Sequence, residues 1–271
     1  MYANSSLVKL QLLSFRAANA SLACALFVAL HILLKAKMLR TLVSGCLLIS
    51  QLVWVAAAMA APKTVSLVYE VTRFGQPFAT VTESYRQENG RYRIESVTKG
   101  VDAYALFGER KITSEGGVTS QGLKPSHFEL HQSNNEKKSL FADFDWAANT
   151  LTMKIKGKPT TVPLEKGTQD LVSFAYQFMF AQPQGNALVL PVTTGKKLRT
   201  HNYKVAERNV SLELPAGKFK AMHLVKVSND ASDDQKELWL GAEAYSLPVR
   251  IVVVDENGVK TEQTLTSLHV E

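Results

Sequence analysis

From Thr64 to the C-terminus apolar side chains recur at every second position, the period of strands that bury one face. Val65, Leu67, Tyr69 and Val71 alternate with Ser66, Val68, Glu70 and Thr72. The turn Phe74-Gly75-Gln76-Pro77 then leads into Phe78–Arg86, so the two runs read as a hairpin. Further strands are expected over Arg91–Thr98, Glu109–Glu115, Ser126–Gln132, Lys138–Trp146, Thr150–Lys156 and Lys196–Glu207. Gly116-Gly117, Ser133-Asn134-Asn135, Ala147-Ala148-Asn149 and Lys156-Gly157-Lys158-Pro159 punctuate them. Nearer the C-terminus, Leu212–Leu214 and Phe219–Val227 flank Pro215-Ala216-Gly217-Lys218. Pro248–Asp255 and Val259–Val270 flank Glu256-Asn257-Gly258, and an Asn-Gly between apolar runs is a strong hairpin signal.

One segment breaks the period. Leu171, Phe174, Ala175, Phe178 and Met179 fall at helical spacing, Thr168 suits an N-cap and Asp170 suits the positive helix start. The spacing predicts a single helix of about three turns over 168–180. The pattern as a whole predicts an all-β domain, mainly an antiparallel meander forming a curved sheet or half-open barrel, with that short helix packed on or inside the sheet. No linker or repeat divides residues 62–271, so one domain is expected.

The first 61 residues have a different character: no Asp or Glu, five basic residues and two long apolar stretches. Met38-Leu39-Arg40, the apolar Leu42–Ala58 and Ala58-Met59-Ala60 form the charged start, apolar core and small-x-small site of a secretory signal over 38–60. Residues 1–37 then read as an upstream extension, with translation starting at Met38 as an alternative. Thr41–Ala61 is also long enough for a retained membrane anchor. Val43-Ser44-Gly45-Cys46 has the form of a lipoprotein box, although the longer apolar run follows the cysteine instead of preceding it. Cys24 and Cys46 both lie in this leader, which leaves the mature chain without disulfides or thiol chemistry. The formal charge of +7 falls to +2 once the leader's five basic residues are removed, so the basicity belongs to export and argues against nucleic acid. A periplasmic location follows, with membrane contact only through an uncleaved leader.

Three segments carry a family resemblance: Gln169-Asp170-Leu171-Val172-Ser173-Phe174-Ala175-Tyr176-Gln177-Phe178, Leu214-Pro215-Ala216-Gly217-Lys218-Phe219-Lys220-Ala221, and Leu238-Trp239-Leu240-Gly241 followed by Leu247-Pro248-Val249-Arg250-Ile251. In order and spacing they resemble the exported bacterial family catalogued as domain of unknown function 3108, from Thr64 to the C-terminus. The resemblance implies an envelope location and a β-rich domain, and no activity. At fold level the meander around one helix is similar to the half-open barrels of periplasmic lipoprotein carriers, which does not by itself establish function.

Candidate chemistry is sparse. His127, Glu129 and His131 project from one face of a strand, as zinc ligands can, but a solvent-facing strand carries the same residues. Along a strand such neighbours are also about 6.5 Å apart, too far for one tight site. Asp143 and Asp145, or Asp233-Asp234, supply paired carboxylates, but sequence spacing does not show that they face each other across a cleft as a glycosidase needs, and solvated edge positions are the preferred account. There is no Gly-x-Ser-x-Gly elbow and no phosphate-cradling loop, Thr194-Gly195-Lys196-Lys197 being a basic turn. Leu171, Phe174 and Phe178 on the helix are candidates to line a ligand cavity, as is Trp239, while Arg250 within an apolar run needs an anionic partner. No cofactor is called for. These features together predict a non-enzymatic envelope protein that holds an apolar or lipid ligand. A scaffold acting through envelope protein partners is the alternative, and an enzyme acting on polysaccharide the third class.

Overall fold

A computed structural model of the chain describes residues 61–227 and 233–271; the expected leader 38–60, the extension 1–37, Cys24 and Cys46 lie outside them. The strands are β1 (Thr64–Arg73), β2 (Gln76–Glu88), β3 (Arg91–Gly100), β4 (Arg110–Thr119), β5 (Gly122–Gln132), β6 (Leu140–Asp145), β7 (Thr150–Ile155) and β8 (Lys158–Pro163). After β9 (Gln169–Asp170) comes a one-turn helix, α1 (Ser173–Tyr176), continued by a 3-10 turn over Gln177–Met179. The remainder is β10 (Ala187–Thr193), β11 (Leu198–Leu214), β12 (Gly217–Val227), β13 (Gln235–Gly241), β14 (Pro248–Val254) and β15 (Lys260–Val270).

All fifteen strands join one sheet, in the order β8-β7-β6-β5-β4-β3-β2-β1-β15-β14-β13-β12-β11-β10-β9. The ends of the domain therefore meet at its centre. β1 pairs antiparallel with β15, and the Lys63 and Thr64 N–H groups donate to the Glu271 carbonyl at 3.1 Å. The two edges, β8 and β9, are consecutive in the chain, separated only by Leu164–Thr168. Six residue steps reach at most about 20 Å, whereas fifteen flat strands would spread over roughly 65 Å. The covalent link forces the sheet to curl, and it does so without the two edges pairing.

The inward phase forms two clusters. The larger includes Val65, Leu67, Tyr69, Tyr85, Ile94, Phe128, Leu151 and Leu265, and the smaller joins Phe174 and Phe178 to Leu190, Val192, Tyr203, Leu224, Leu238 and Leu240. Val172 and Tyr176 belong to the first cluster, so the short helical segment is the seam between the two.

The expected three-turn helix over 168–180 is corrected to seven helical residues. Gln169 and Asp170 instead pair in parallel with Val192 and Thr193. The Asp170 carboxylate accepts the N–H groups of Val172 (3.0 Å) and Ser173 (2.9 Å), starting the helix one turn later than the apolar spacing suggests. Thr168 does not cap it, since its hydroxyl donates to the Glu165 carbonyl. Other boundaries move for similar local reasons. Gly116-Gly117 is not a break, because β4 runs through it with a bulge, and a Cβ at Gly116 would lie 2.2 Å from the Lys124 carbonyl oxygen. Lys196–Glu207 and Leu212–Leu214 merge into the single bulged strand β11. β8 lacks apolar alternation because nearly all of it is exposed at the sheet edge.

Candidate functional site

Strand alternation sends a row of side chains from seven neighbouring strands into the hollow of the sheet. β1 contributes Leu67 and Tyr69, β2 Val81 and Glu83, β3 Ser96 and Thr98, and β4 Arg110 and Ile112. From the other wing come Gln263 on β15, Pro248, Ile251 and Val253 on β14, and Lys236 on β13. Leu171, Val172, Phe174, Ala175 and Tyr176 cover them, enclosing an inner cavity of about 180 Å³. Beside it opens an outer cleft of about 350 Å³, walled by Val192, Tyr203 and His201, with Lys196, Lys197, Arg199, Asp233 and Asp234 also lining it. Leu171, Phe174 and Lys236 belong to both walls. The outer cleft alone falls within the range of roughly 300–1,000 Å³ usual for small-molecule sites.

The charged groups of this hollow are unusual in their partners. Glu83 accepts the Ser96 hydroxyl at 3.0 Å and the Tyr176 hydroxyl at 3.2 Å, and no cation pairs with it among the described residues. Burial pushes its pKa up against those two hydrogen bonds, and burial followed by the Glu83 charge pushes Tyr69 and Tyr176 up as well. The Tyr69 hydroxyl donates to the Pro248 carbonyl at 2.8 Å, tying β1 to the far wall. Arg110 makes no ion pair among the described residues, and desolvation lowers its pKa.

Lys236 is half-buried because it faces the cleft, yet desolvation brings its pKa down to about 8. Its Nζ lies 4.4 Å from the centre of the Phe174 ring, a cation–π contact, and among the described residues no carboxylate stands within ion-pair range of it. Asp234 favours the ammonium from farther off, but its carboxylate already holds Lys226 at 2.9 Å, as does Asp233. Asp233 also pairs with Arg199 at 3.1 Å. Burial, then the charges of Lys226 and Lys236, lower the pKa of His201.

A second buried acid holds the covering segment in place. Asp170 is fully buried, accepts the Ser114 hydroxyl at 2.6 Å in addition to its two backbone donors, and connects through Ser114 to the Tyr92 hydroxyl. Burial raises its pKa, opposed by these hydrogen bonds.

Of the residues expected to line a ligand cavity, Leu171 and Phe174 stand in both walls. Phe178 is packed in the smaller core cluster at 1% exposure. Trp239 stacks on His223 with ring centres 4.2 Å apart, Arg250 lies 4.8 Å above the Trp239 ring, and Arg250 finds its anionic partner in Glu262 at 2.7 Å. These three line neither the cavity nor the cleft. His127, Glu129 and His131 share a face of β5 as ion pairs: His127 with Asp143 at 2.7 Å, and His131 with Glu129 at 3.3 Å and Glu136 at 3.6 Å. Among the described residues no three such groups converge as a metal site. Asp143 is thereby engaged, and Asp145 accepts the N–H groups of Ala147 and Ala148 in the turn after β6. Lys236, Glu83 and Arg110 are absent from the sequence-level candidates. Their signal was phase: Glu83 lies between inward Val81 and Tyr85, and Lys236 two residues before inward Leu238.

A family model described as "Protein of unknown function (DUF3108)" matches residues 67–264. Among solved structures the chain is similar to the beta-barrel-like protein of domain of unknown function DUF1849 from Brucella abortus. That likeness covers 78% of this chain and 99% of the other at 8% identity, with a TM-score of 0.51, and is a likeness of fold. No curated protein matches the chain.

Proposed function

We propose that this chain, which belongs to the DUF3108 family of proteins of unknown function, is a non-enzymatic binding protein of the bacterial envelope that holds an apolar ligand in the hollow of its sheet. In this reading the leader is removed and the folded part works in the periplasm. The observation that carries it is the pair of adjoining spaces sharing Leu171, Phe174 and Lys236, with aliphatic walls from Leu67, Val81, Ile112, Ile251 and Val253. Apolar surface left facing a cavity is stabilised by whatever removes it from water, at about 25 cal/mol per Å². The test is titration of the full chain, stripped of lipid, with an apolar fluorescent dye such as N-phenylnaphthylamine. Saturable uptake is expected, along with an at least tenfold loss in Leu171→Trp at unchanged melting temperature. Absence of saturable uptake, together with no acyl chain in organic extracts of the purified protein, overturns it.

A scaffolding role is favoured by a different observation. Phe74 (69%), Leu106 (83%) and Phe107 (67%) are exposed at one end of the sheet, with Tyr104 4.6 Å from the Phe78 ring and Arg73 over Phe74 and Phe78. Loss of a copurifying envelope protein in Leu106→Ser/Phe107→Ser, with dye uptake intact, would favour that role.

A further inference from the structure

We infer that the ligand is an amphiphile with an anionic head, a carboxylate or a phosphate monoester, whose head pairs with Lys236 while its chain lies against Leu171 and Phe174. This rests on the binding role proposed above and adds the chemistry that selects the ligand. An ammonium removed from water without an ion-pair partner is costly, and the cost is recovered when an anion enters. Lys236 is such a group: it lines both spaces, makes no ion pair among the described residues, and is faced by the Phe174 ring. The two acids nearby do not serve it, since Asp233 holds Arg199 and Lys226, and Asp234 holds Lys226. The mouth has the same sign. Lys196 and Lys197, exposed on the turn between β10 and β11, line the outer cleft and make no ion pair among the described residues. Cations at the rim of a low-dielectric cleft draw anions toward it. A neutral amphiphile of equal length would fill the same apolar wall and leave Lys236 unpaired.

Three ligands of equal chain length separate the possibilities: dodecanoate, dodecyl phosphate and dodecanol, titrated at pH 7 against the full, lipid-stripped protein by calorimetry. At least one anionic ligand is expected to bind at least tenfold more tightly than dodecanol. A preference for dodecanoate identifies a carboxylate head, and one for dodecyl phosphate a phosphate head. Lys236→Met is expected to remove the preference without weakening dodecanol, and Lys236→Arg to keep it, with circular dichroism and melting temperature showing that both fold. Equal affinity for dodecanol and the anions overturns the anionic head and leaves the apolar-ligand role standing. Binding of none of the three overturns both. A preference that survives Lys236→Met and disappears in Arg110→Met overturns the assignment to Lys236.

Discussion

Arg93 on β3 sits between Glu95 and Glu115, Lys111 on β4 reaches Glu95 at 3.3 Å, and Arg250 on β14 meets Glu262 on β15 at 2.7 Å. Each of these three cations has an acid on its own strand or the next. In the hollow of the same sheet, among the described residues, Lys236 and Arg110 have none and Glu83 has hydroxyl donors alone. On β4 the two kinds stand side by side: Lys111 faces Glu95 and its neighbour Arg110, one residue out of phase, faces the hollow. The paired charges include exposed groups such as Arg93, where a salt bridge contributes little, whereas the hollow's charges are partly desolvated with no counter-ion among the described residues. Partly buried charges without a counter-ion lower the stability of the fold.

The comparison can be broken first at a buried charge that is fully satisfied. Asp170→Ala strands the donors of Ser114, Val172 and Ser173 in the interior, and a loss of about 3–4 kcal/mol is expected in urea unfolding. A loss below 1 kcal/mol would mean that the covering segment does not depend on it.

Lys236→Met should act in the opposite direction. The folded pKa lies near 8, below the ordinary 10.5, so between these values the unfolded chain binds more protons and stability rises with pH. At pH 7 the full penalty is present, and the substitution is expected to stabilise by roughly 2–3 kcal/mol and to flatten the stability profile from pH 8 to 10.5. A destabilised variant with the slope retained would place the titration elsewhere.

Glu83→Gln sharpens the acid side of the comparison. Its folded pKa is raised above 4.5, so the folded state holds the proton longer and the stabilisation present at low pH is lost as pH rises through the folded value. The variant, which keeps an acceptor for one of the Ser96 and Tyr176 hydroxyls and turns an amide N–H toward the other, is expected to lack that decline in a pH series of melting temperatures. The smallest effect belongs to the surface: Arg93→Ala is expected to shift stability by no more than about 0.5 kcal/mol, less in high salt. A larger shift there would erase the contrast.

The strands were legible along the chain because alternation is a local property. Val65 to Val71 announces β1, and Glu256-Asn257-Gly258 joins β14 to β15 as an Asn-Gly hairpin. Leu171 and Phe174 were visible as an apolar stripe for the same reason. The helix was overestimated because apolar spacing does not register the Asp170 carboxylate, which takes the first N–H groups out of the helical ladder. Glu83 and Lys236 passed as ordinary surface charges, since phase was visible but the depth beneath it was not.

Local order thus decided that this chain would make β-strands around one short helical segment, because side-chain period, Gly-containing turns and Asn-Gly pairs act over a few residues. Only the tertiary structure decided that β1 would meet β15, that Leu164–Thr168 would curl fifteen strands toward closure, and that Lys236 would lie in the hollow against the Phe174 ring. Those outcomes join residues as far apart as Val65 and Val270, and the desolvation that distinguishes an inward charge from a surface one exists only once the strands have assembled into the curled sheet.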